Sequence, residues 1–318
     1  MHFAYPARKS SNPPPFRPRS TRIPTIRRIR PKTLAIGGLA IMFLIWLFSG
    51  SGSKSGSGKR GRVISGDPPV VMVTVFDEKL WGGHPEYLSD IRDNRMQYAE
   101  KHGYKTMLVS AGGYDIGSDP MSWTKVTATR HALAEFPDAK YIWYLDQHSL
   151  IMDPELDIVD HIMSSKNLEK NMIKDLPVVP PDSIIKTFSH LKGDDIDFVV
   201  TQDKEGLSAG SFILRNGDWA EFLLDTWFDP LYRSYNFQKA ETHALEHIVQ
   251  WHPTILSKMA IIPQRLLNSY HKPKHGEVYE DGDFVLRLAG CIKGNGDNNC
   301  AEEAKNYAPK WKKAFAAS

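Results

Sequence analysis

The sequence predicts an α/β protein whose core is a mostly parallel, doubly wound β-sheet. Between residues 70 and 163, strand patterns alternate with helix patterns three times. The strand patterns are short, continuous apolar runs rather than the polar and apolar alternation of a half-exposed strand. Fully apolar strands that alternate with helices are typical of a parallel sheet with helices on both faces.

The first three elements follow from local residue patterns. The apolar run Val70–Phe76 predicts a buried strand that ends at Asp77. A helix is predicted over 87–102 and ends at the His102-Gly103 pair, because glycine commonly terminates helices. A second short strand is predicted over 105–109.

The next three elements repeat this order. A helix is predicted over 123–134 because its apolar residues recur at helical spacing, and Pro137 lies just past its end. The apolar and aromatic run 141–145 then predicts a buried strand that stops at Asp146. A helix is expected near 155–163.

The second half of the domain is less regular. Residues 165–190 contain three prolines in a polar stretch, and we predict an insertion loop there. The later elements are a strand, a Gly-punctuated turn with a strand, two helices and a last short strand, over 196–201, 206–214, 217–227, 241–251 and 284–288.

The first 68 residues carry the pattern of a membrane anchor. Residues 1–32 contain nine Lys or Arg and no Asp or Glu, whereas 34–48 contain no charged residue. We predict a transmembrane signal anchor at 33–50, with 1–32 as a basic cytosolic tail. A Gly/Ser-rich stem at 51–68 and a lumenal domain at 69–318 would follow, as in a type II membrane protein. A cleaved signal peptide is the alternative, but the basic stretch is too long for one.

The charge distribution argues against nucleic-acid binding. The whole chain carries a net charge of +3, but nine of its cations lie in the first 32 residues. The remainder has 31 Lys and Arg against 37 Asp and Glu, which is a net charge of −6. A nucleic-acid interface needs a basic patch on a folded domain, so this class of partner is excluded.

The chain has two cysteines, Cys291 and Cys300, separated by a turn-rich segment. In a lumenal, oxidising compartment we expect them to close a small loop as a disulfide. Two free thiols are the alternative.

Asp146 and His148 form a candidate metal site at the end of the buried strand. Ligands of open α/β sheets bind at the carboxyl ends of the central strands. On an extended segment, residues two positions apart point to the same side. Both side chains can ligate a divalent cation that holds a diphosphate. An Asp that caps a turn, beside an ordinary rim His, is an equally compatible interpretation.

The segment from Tyr141 to Pro154 resembles the sugar-nucleotide motif of glycosyltransferase family 34, and the resemblance is strongest to its Golgi α-1,6-mannosyltransferase subunits of the fungal mannan polymerase complex. Further matches follow in the family's order, in the segments 123–130, 206–216, 241–245, 268–270 and 282–291. The resemblance covers roughly residues 70–292. It implies a GT-A fold and a retaining transfer.

The resemblance also implies substrates, a cofactor and a location. The donor would be GDP-mannose, the acceptor a mannose-terminated N-glycan, and the linkage α-1,6. Mn²⁺ would be held by Asp146 and His148. The protein would be anchored in the Golgi membrane and belong to a hetero-oligomeric mannosyltransferase complex. An α-galactosyltransferase that uses UDP-galactose, or a weakly catalytic structural subunit, are the alternatives.

The family pattern assigns roles to further residues of this chain. Glu241 would lie near the anomeric carbon and act in catalysis with Asp146, and Asp203 and Glu246 are alternatives to Glu241. Asp77 would approach the nucleotide base or ribose. The remaining predicted donor-binding residues contact phosphates or the sugar, and they are Lys125, Arg130, Gly206, Ser208, Gly210, Ser211 and Arg287.

Three of these positions depart from the family pattern. The family usually has an acidic residue where His148 stands, an Asn at Ser208 and a metal-binding His at Arg287. A guanidinium cannot ligate a cation, but it can contact a diphosphate through bidentate hydrogen bonds. Metal dependence is still predicted, with His271 and His275 as candidates for a replacement ligand in place of Arg287.

Overall fold

A computed structural model describes residues 64–180, 183–274, 276–291 and 299–318. The predicted tail, the predicted anchor at 33–50 and most of the predicted stem lie outside these residues. Within the described part of the chain, no helix is both long enough and apolar enough to cross a membrane.

The described residues form two β-sheets that are surrounded by helices. The strands are β1 (Val70–Phe76), β2 (Lys105–Ser110), β3 (Tyr141–Leu145), β4 (Ser149–Ile151), β5 (Phe198–Asp203), β6 (Gly206–Arg215), β7 (Met259–Ile262), β8 (Ser269–Tyr270) and β9 (Val285–Arg287). The helices are α1 (Glu78–Trp81), α2 (Pro85–His102), α3 (Thr124–Glu135), α4 (Ser165–Asn171), α5 (Asp218–Trp227), α6 (Pro230–Ser234), α7 (Ala240–Trp251), α8 (Pro253–Leu256) and α9 (Cys300–Ala316).

The main sheet has the strand order β2-β1-β3-β6-β5-β7 and is mixed rather than uniformly parallel. β1 is parallel to β2 and β3, and β5 is parallel to β7, whereas β6 is antiparallel to both of its neighbours. β6 returns directly from β5 through the short turn between Asp203 and Gly206, and strands joined by so short a turn pair antiparallel. The sequence predicted the strand β6 but not this hairpin.

Helices cover both faces of the main sheet, as the doubly wound prediction requires. Alternate residues of β1 face opposite sides, because side chains of a strand alternate. Val71 and Val73 belong to the apolar core that contains α3, α5 and α7. Val70 and Met72 belong to a second core that contains Tyr98 of α2. Burial on both faces explains why the strand reads as a continuous apolar run.

The run from Tyr141 to Met152 is not a single strand, which corrects the prediction of an extended segment through Asp146 and His148. β3 ends at Leu145, residues 146–148 turn, and β4 begins at Ser149 in the second sheet. A carboxylate that accepts a nearby backbone N–H favours such a turn.

The region of the predicted insertion loop is partly helical. α4 lies at its start, where Leu168 is completely buried in the second apolar core. The prolines that suggested a loop follow α4 rather than interrupt it. The helix expected near 155–163 is a π-helical turn over Val159–Met163.

The second sheet brings the C-terminal part of the chain to the end of β3. Its order is β4-β9-β8, and Arg287 of β9 lies opposite Ser149 of β4. The disulfide between Cys291 and Cys300 is formed, as expected, and links the end of this sheet to α9. α9 packs on α2 through Trp311, which is buried.

Removal of the disulfide should lower stability, because the unfolded chain regains the entropy of an open loop. For Cys291→Ala with Cys300→Ala, we expect the free energy of unfolding to fall by about 2–3 kcal/mol. Urea unfolding of both proteins measures this difference. A reductant should destabilise the wild type and leave the double variant unchanged, and equal sensitivity of the two would contradict the prediction.

Candidate active site

The candidate site lies where the two sheets meet. The end of β3, the beginning of β6 and the strands β8 and β9 enclose a cavity of about 300 Å³. A second cavity of about 190 Å³ adjoins it beside β1 and α1. Asp146 and His148 line both cavities, so the predicted motif stands between them.

Asp146 is held at the edge of the main sheet with its charge intact. Its N–H donates to the carbonyl oxygen of Gly210 at 2.8 Å, and its carboxylate accepts the N–H of His148 at 2.8 Å. Burial opposes the charged form, but interactions with His148, Arg287 and Lys125 outweigh burial and lower the pKa of Asp146. A carboxylate therefore faces the cavities at neutral pH.

Arg95 of α2 holds the turn that carries Asp146, and the sequence analysis missed it. Its side chain is completely buried. Nη2 donates to the carbonyl oxygens of Asp146 at 3.1 Å and Ser149 at 2.6 Å. Burial lowers the pKa of Arg95 to about 9, so the guanidinium remains charged at neutral pH. Arg95 lies one helical turn after Ile91 on the apolar side of α2. A charged residue at an apolar position is the sequence signal that could have identified it.

His148 is fixed in one protonation state by its neighbours. Gln147 accepts the N–H of Asp77 through Oε1 at 2.9 Å, so its amide nitrogen lies 3.0 Å from Nε2 of His148 and donates to it. Nδ1 then carries the proton and donates to the hydroxyl of Tyr87 at 2.6 Å. Burial lowers the pKa of His148, which favours this neutral ring.

These residues do not form a metal-binding set. The lone pair of His148 is used by Gln147, and its other ring nitrogen is protonated. The described residues contain one cluster of three potential ligand atoms near this site, from His148, Cys291 and Cys300. Both sulfurs of that cluster belong to the disulfide and are not thiolates. Of the predicted pair, Asp146 remains as a ligand, and metal sites need several.

Arg287 enters the first cavity from β9 and lies against β6. Its Nη1 donates to Oγ of Ser208 at 3.1 Å. A Cβ at Gly210 would lie 2.2 Å from Cζ of Arg287, so only glycine leaves room for this guanidinium. The need for glycine at this position is therefore steric. The predicted residues Ser208, Gly210 and Arg287 are thus brought together.

Ser208 is the centre of a buried hydrogen-bond network. Besides Arg287, its Oγ contacts the amide of Asn268 at 2.6 Å and the hydroxyl of Tyr270 at 2.9 Å. The Tyr270 hydroxyl donates to Asp203 at 2.6 Å. Asp203 lines the first cavity but is occupied by this bond and by backbone N–H groups of the β5–β6 turn. It is an anchor of the network.

Lys125 and Glu241 form a buried ion pair behind the site. Nζ and Oε1 are 2.6 Å apart, and the two residues are 6% and 3% exposed. Lys125 lines the second cavity, whereas the lining of neither cavity includes Glu241. Oε2 of Glu241 is buried without a hydrogen-bond partner among the described residues. Of the predicted phosphate-binding pair on α3, Lys125 is the member at the site.

The side chains of two predicted residues, Arg130 and Ser211, lie away from the cavities. The guanidinium of Arg130 pairs with Glu221 at 3.4 Å and Asp225 at 3.0 Å on the partly exposed side of α3. Oγ of Ser211 faces the core and accepts from the indole of Trp143 at 3.0 Å. Arg130 lies at helical spacing from apolar residues of α3, but its side chain reaches across to the acidic residues of α5.

Gly206 and Glu246 meet beneath the first cavity. Gly206 has a φ of 145°, and a Cβ there would clash with Oε1 of Glu246. The same oxygen accepts the N–H of Leu207 at 2.9 Å. Glu246 therefore positions the start of β6, and burial raises its pKa to about 7.

Asp77 caps a helix at the edge of the second cavity. Its carboxylate accepts the N–H of Leu80 at 2.9 Å and caps α1. It also lines the second cavity.

The fold is that of the GT-A-like glycosyltransferases. A solved glycosyltransferase involved in the glycosylation of the major capsid of PBCV-1 superposes with a TM-score of 0.51, covering 74% of this chain and 97% of that one. At 11% sequence identity this likeness concerns the fold alone.

The chain belongs to the galactosyl transferase GMA12/MNN10 family, whose pattern matches residues 66–298. The family assignment made from the sequence motifs is confirmed. The chain spans 60% of the length of two of the relatives that it matches.

The relatives include two kinds of hexosyltransferase. An uncharacterised α-1,2-galactosyltransferase of Schizosaccharomyces pombe is 33% identical over 70% of this chain and 60% of its own length. An α-1,2-galactosyltransferase of the same yeast is 32% identical over 71% of this chain and 60% of its own length. MNN11 of Saccharomyces cerevisiae, described as "Probable alpha-1,6-mannosyltransferase", is 29% identical over 78% of this chain and 63% of its own length.

The contrast between Lys125 and Arg130 can be tested by stability. Lys125→Met leaves the buried Glu241 carboxylate uncompensated and should lower the free energy of unfolding by about 3–5 kcal/mol. Arg130→Met removes partly exposed ion pairs and should cost less than about 1 kcal/mol. Denaturant unfolding compares the two variants, and equal losses would be incompatible with the buried pair.

Glu246 should make stability depend on pH. Its pKa rises from 4.5 to about 7 on folding, so the folded protein binds the proton more tightly than the unfolded chain. This contribution is fully present below pH 4.5 and is lost as the pH rises through about 7. Glu246→Gln should therefore unfold less easily than wild type at pH 8, by roughly 2 kcal/mol, and equally easily near pH 4.

The matched control is Glu169→Gln, which removes an exposed carboxylate from α4. Its free energy of unfolding should follow that of the wild type at both pH values. The interpretation fails if Glu246→Gln shows the same pH profile as this control.

Proposed function

We propose that this protein transfers a hexose from a sugar nucleotide to a glycan with retention of configuration, as a type II enzyme of the Golgi membrane. The observation that carries the proposal is that one ionised carboxylate, Asp146, and one guanidinium, Arg287, line the same cavity of about 300 Å³. The family and the fold support the class of reaction.

The two cavities suit the two parts of a sugar nucleotide. The second cavity has apolar and aromatic walls, including Trp81 and Met121, with Asp77 at its edge. These walls suit a nucleoside, and Asp77 can accept a ribose or base hydrogen bond. The diphosphate would then lie between the cavities near Asp146, and the hexose would occupy the first cavity beside Ser208.

The leaving diphosphate carries most of the charge that develops during transfer. Arg287 donates N–H groups to phosphate oxygens and stabilises that charge. Lys125 lines the second cavity, and its charge is compensated there by Glu241 at 2.6 Å. Glycosyltransferases of this fold typically also use a divalent metal ion, and Mn²⁺ remains a prediction for this chain.

Retention can proceed through a carboxylate nucleophile or by departure and attack on one face of the sugar. A nucleophile must touch the anomeric carbon, and Glu241 is held by Lys125 behind the cavity wall. We therefore favour the one-face route. Glu241 would then act by keeping Lys125 in place and by stabilising positive charge on the sugar ring through its unpartnered oxygen.

Two sugar nucleotides are candidate hexose donors for this protein. GDP-mannose, with α-1,6 transfer to a mannose-terminated N-glycan, is the donor predicted from the motifs, and MNN11 is a relative with that description. UDP-galactose is the second candidate, because the relatives named galactosyltransferases share 32–33% identity against 29% for MNN11. Transfer assays with each sugar nucleotide and a mannose-terminated acceptor distinguish them.

Assembly into a hetero-oligomeric mannosyltransferase complex belongs to the same proposal, and a weakly catalytic subunit is the alternative. The buried network around Ser208 and Tyr270 supports the enzyme, since a scaffold would have no need for an ionised carboxylate beside a cavity. Transfer by the purified full chain, without other subunits, decides between these roles.

Asp146→Asn should reduce hexosyl transfer by at least about 100-fold, because it removes a charge that orients the leaving group. Asparagine retains the oxygen that accepts the N–H of His148, so the fold should persist. Initial rates with both donors, together with thermal unfolding, measure these effects. Asp93→Asn, at an exposed position of α2, is the matched control and should keep the full rate. A variant at Asp146 as active as this control would remove Asp146 from the mechanism.

A further inference from the structure

We infer that this protein holds the diphosphate of its donor with the guanidinium of Arg287 in place of a divalent metal ion. Nucleotide binding would then be independent of metal. This inference rests on the proposed function and concerns the way in which the site neutralises the phosphates.

The charge balance of the two cavities distinguishes Arg287 from the other cations. Their described lining contains three Lys or Arg side chains. Lys125 pairs with Glu241 at 2.6 Å, and Lys239 pairs with Glu205 at 2.7 Å. Arg287 forms no ion pair with any described residue. A partly buried guanidinium without a direct carboxylate contact keeps its N–H groups available to an anion.

The guanidinium of Arg287 has free N–H donors. Arginine offers five N–H groups in a planar fork. Within the described residues, the hydrogen bond from Nη1 to Ser208 is the one that the Arg287 side chain makes. The fork is stacked over the α-carbon of Gly210 and lies 6.0 Å from the ring centre of Tyr270, so its orientation is fixed. A fixed fork with free N–H groups suits bidentate contact with phosphate oxygens.

The two residues that depart from the predicted family pattern in the first cavity, Ser208 and Arg287, are in contact. The resemblance predicts Asn at 208 and a metal-binding His at 287, and this chain has Ser208 and Arg287. In the structure, these two replacements share the 3.1 Å hydrogen bond. Ser208 therefore helps to hold the guanidinium of Arg287 in this position.

The residues around Asp146 offer few atoms that could bind a metal ion. The ring nitrogens of His148 are engaged by Tyr87 and Gln147, and the nearby sulfurs are in the disulfide. A guanidinium at this place repels a dication.

The experiment is calorimetric titration of the full chain in detergent with GDP and with UDP. Each titration is run in EDTA and again in excess Mn²⁺. We expect the better nucleotide to bind with dissociation constants that agree within about twofold between the two conditions. Arg287→Gln should weaken that binding by about 10- to 100-fold in both conditions, because charge-assisted hydrogen bonds are lost.

The matched control is Arg215→Gln. Arg215 lies at the other end of β6, where it pairs with Asp197 at 3.1 Å, so its variant should bind nucleotide as the wild type does. Thermal unfolding establishes that every variant is folded. Arg287→Lys keeps the charge but not the fork, and it should bind with intermediate affinity.

The outcomes separate the inference from the proposed function. Binding by the wild type that requires Mn²⁺ would overturn the inference and leave the glycosyltransferase proposal standing, as would unchanged binding by Arg287→Gln. No binding of either nucleotide under either condition would reject the proposed function itself. Metal-independent binding that depends on Arg287 supports both.

Discussion

The site depends on one buried interaction, the contact of Arg95 with the backbone of the turn after β3. The polypeptide leaves the main sheet at Leu145 and joins the second sheet at Ser149, so the chain must reverse within three residues. Their carbonyl groups lie in the interior, where an unpaired acceptor is costly. Arg95 donates to the carbonyl oxygen of Asp146 in this turn and to that of Ser149, the first residue of β4. Without these bonds, neither Asp146 nor the pairing of β4 with β9 would have a defined place.

The two sheets supply different residues to the site. The main sheet supplies Asp146 and the start of β6, which are rigid because their backbone groups pair in the ladder. The small sheet supplies Arg287 and Tyr270. Their side chains meet at Ser208, and the resulting network fixes the distance between the sheets. A polar network of this kind must be fully satisfied to be stable, which makes each member sensitive to substitution.

The distribution of charge explains why the site suits a diphosphate. Lys125 and Lys239 are neutralised by their own carboxylates, whereas Arg287 is not. The ionised Asp146 prevents an excess of positive charge while the site is empty of nucleotide. Because Arg287 also approaches the α-carbon of Gly210, the positive charge lies directly on the sheet edge, where water is excluded and electrostatic contacts are strong.

The sequence by itself determined the local elements, the family and the position of Asp146. Apolar runs such as Val70–Phe76 encode strands directly, because burial on both faces leaves no polar position. The tertiary structure decided which residues meet. The pairing of β4 with β9 brings Arg287 to the cavity that Asp146 lines, and α5 draws Arg130 away, although both arginines were predicted to bind the donor. Contacts between distant segments depend on how whole elements pack, and residue spacing along the chain does not encode that packing.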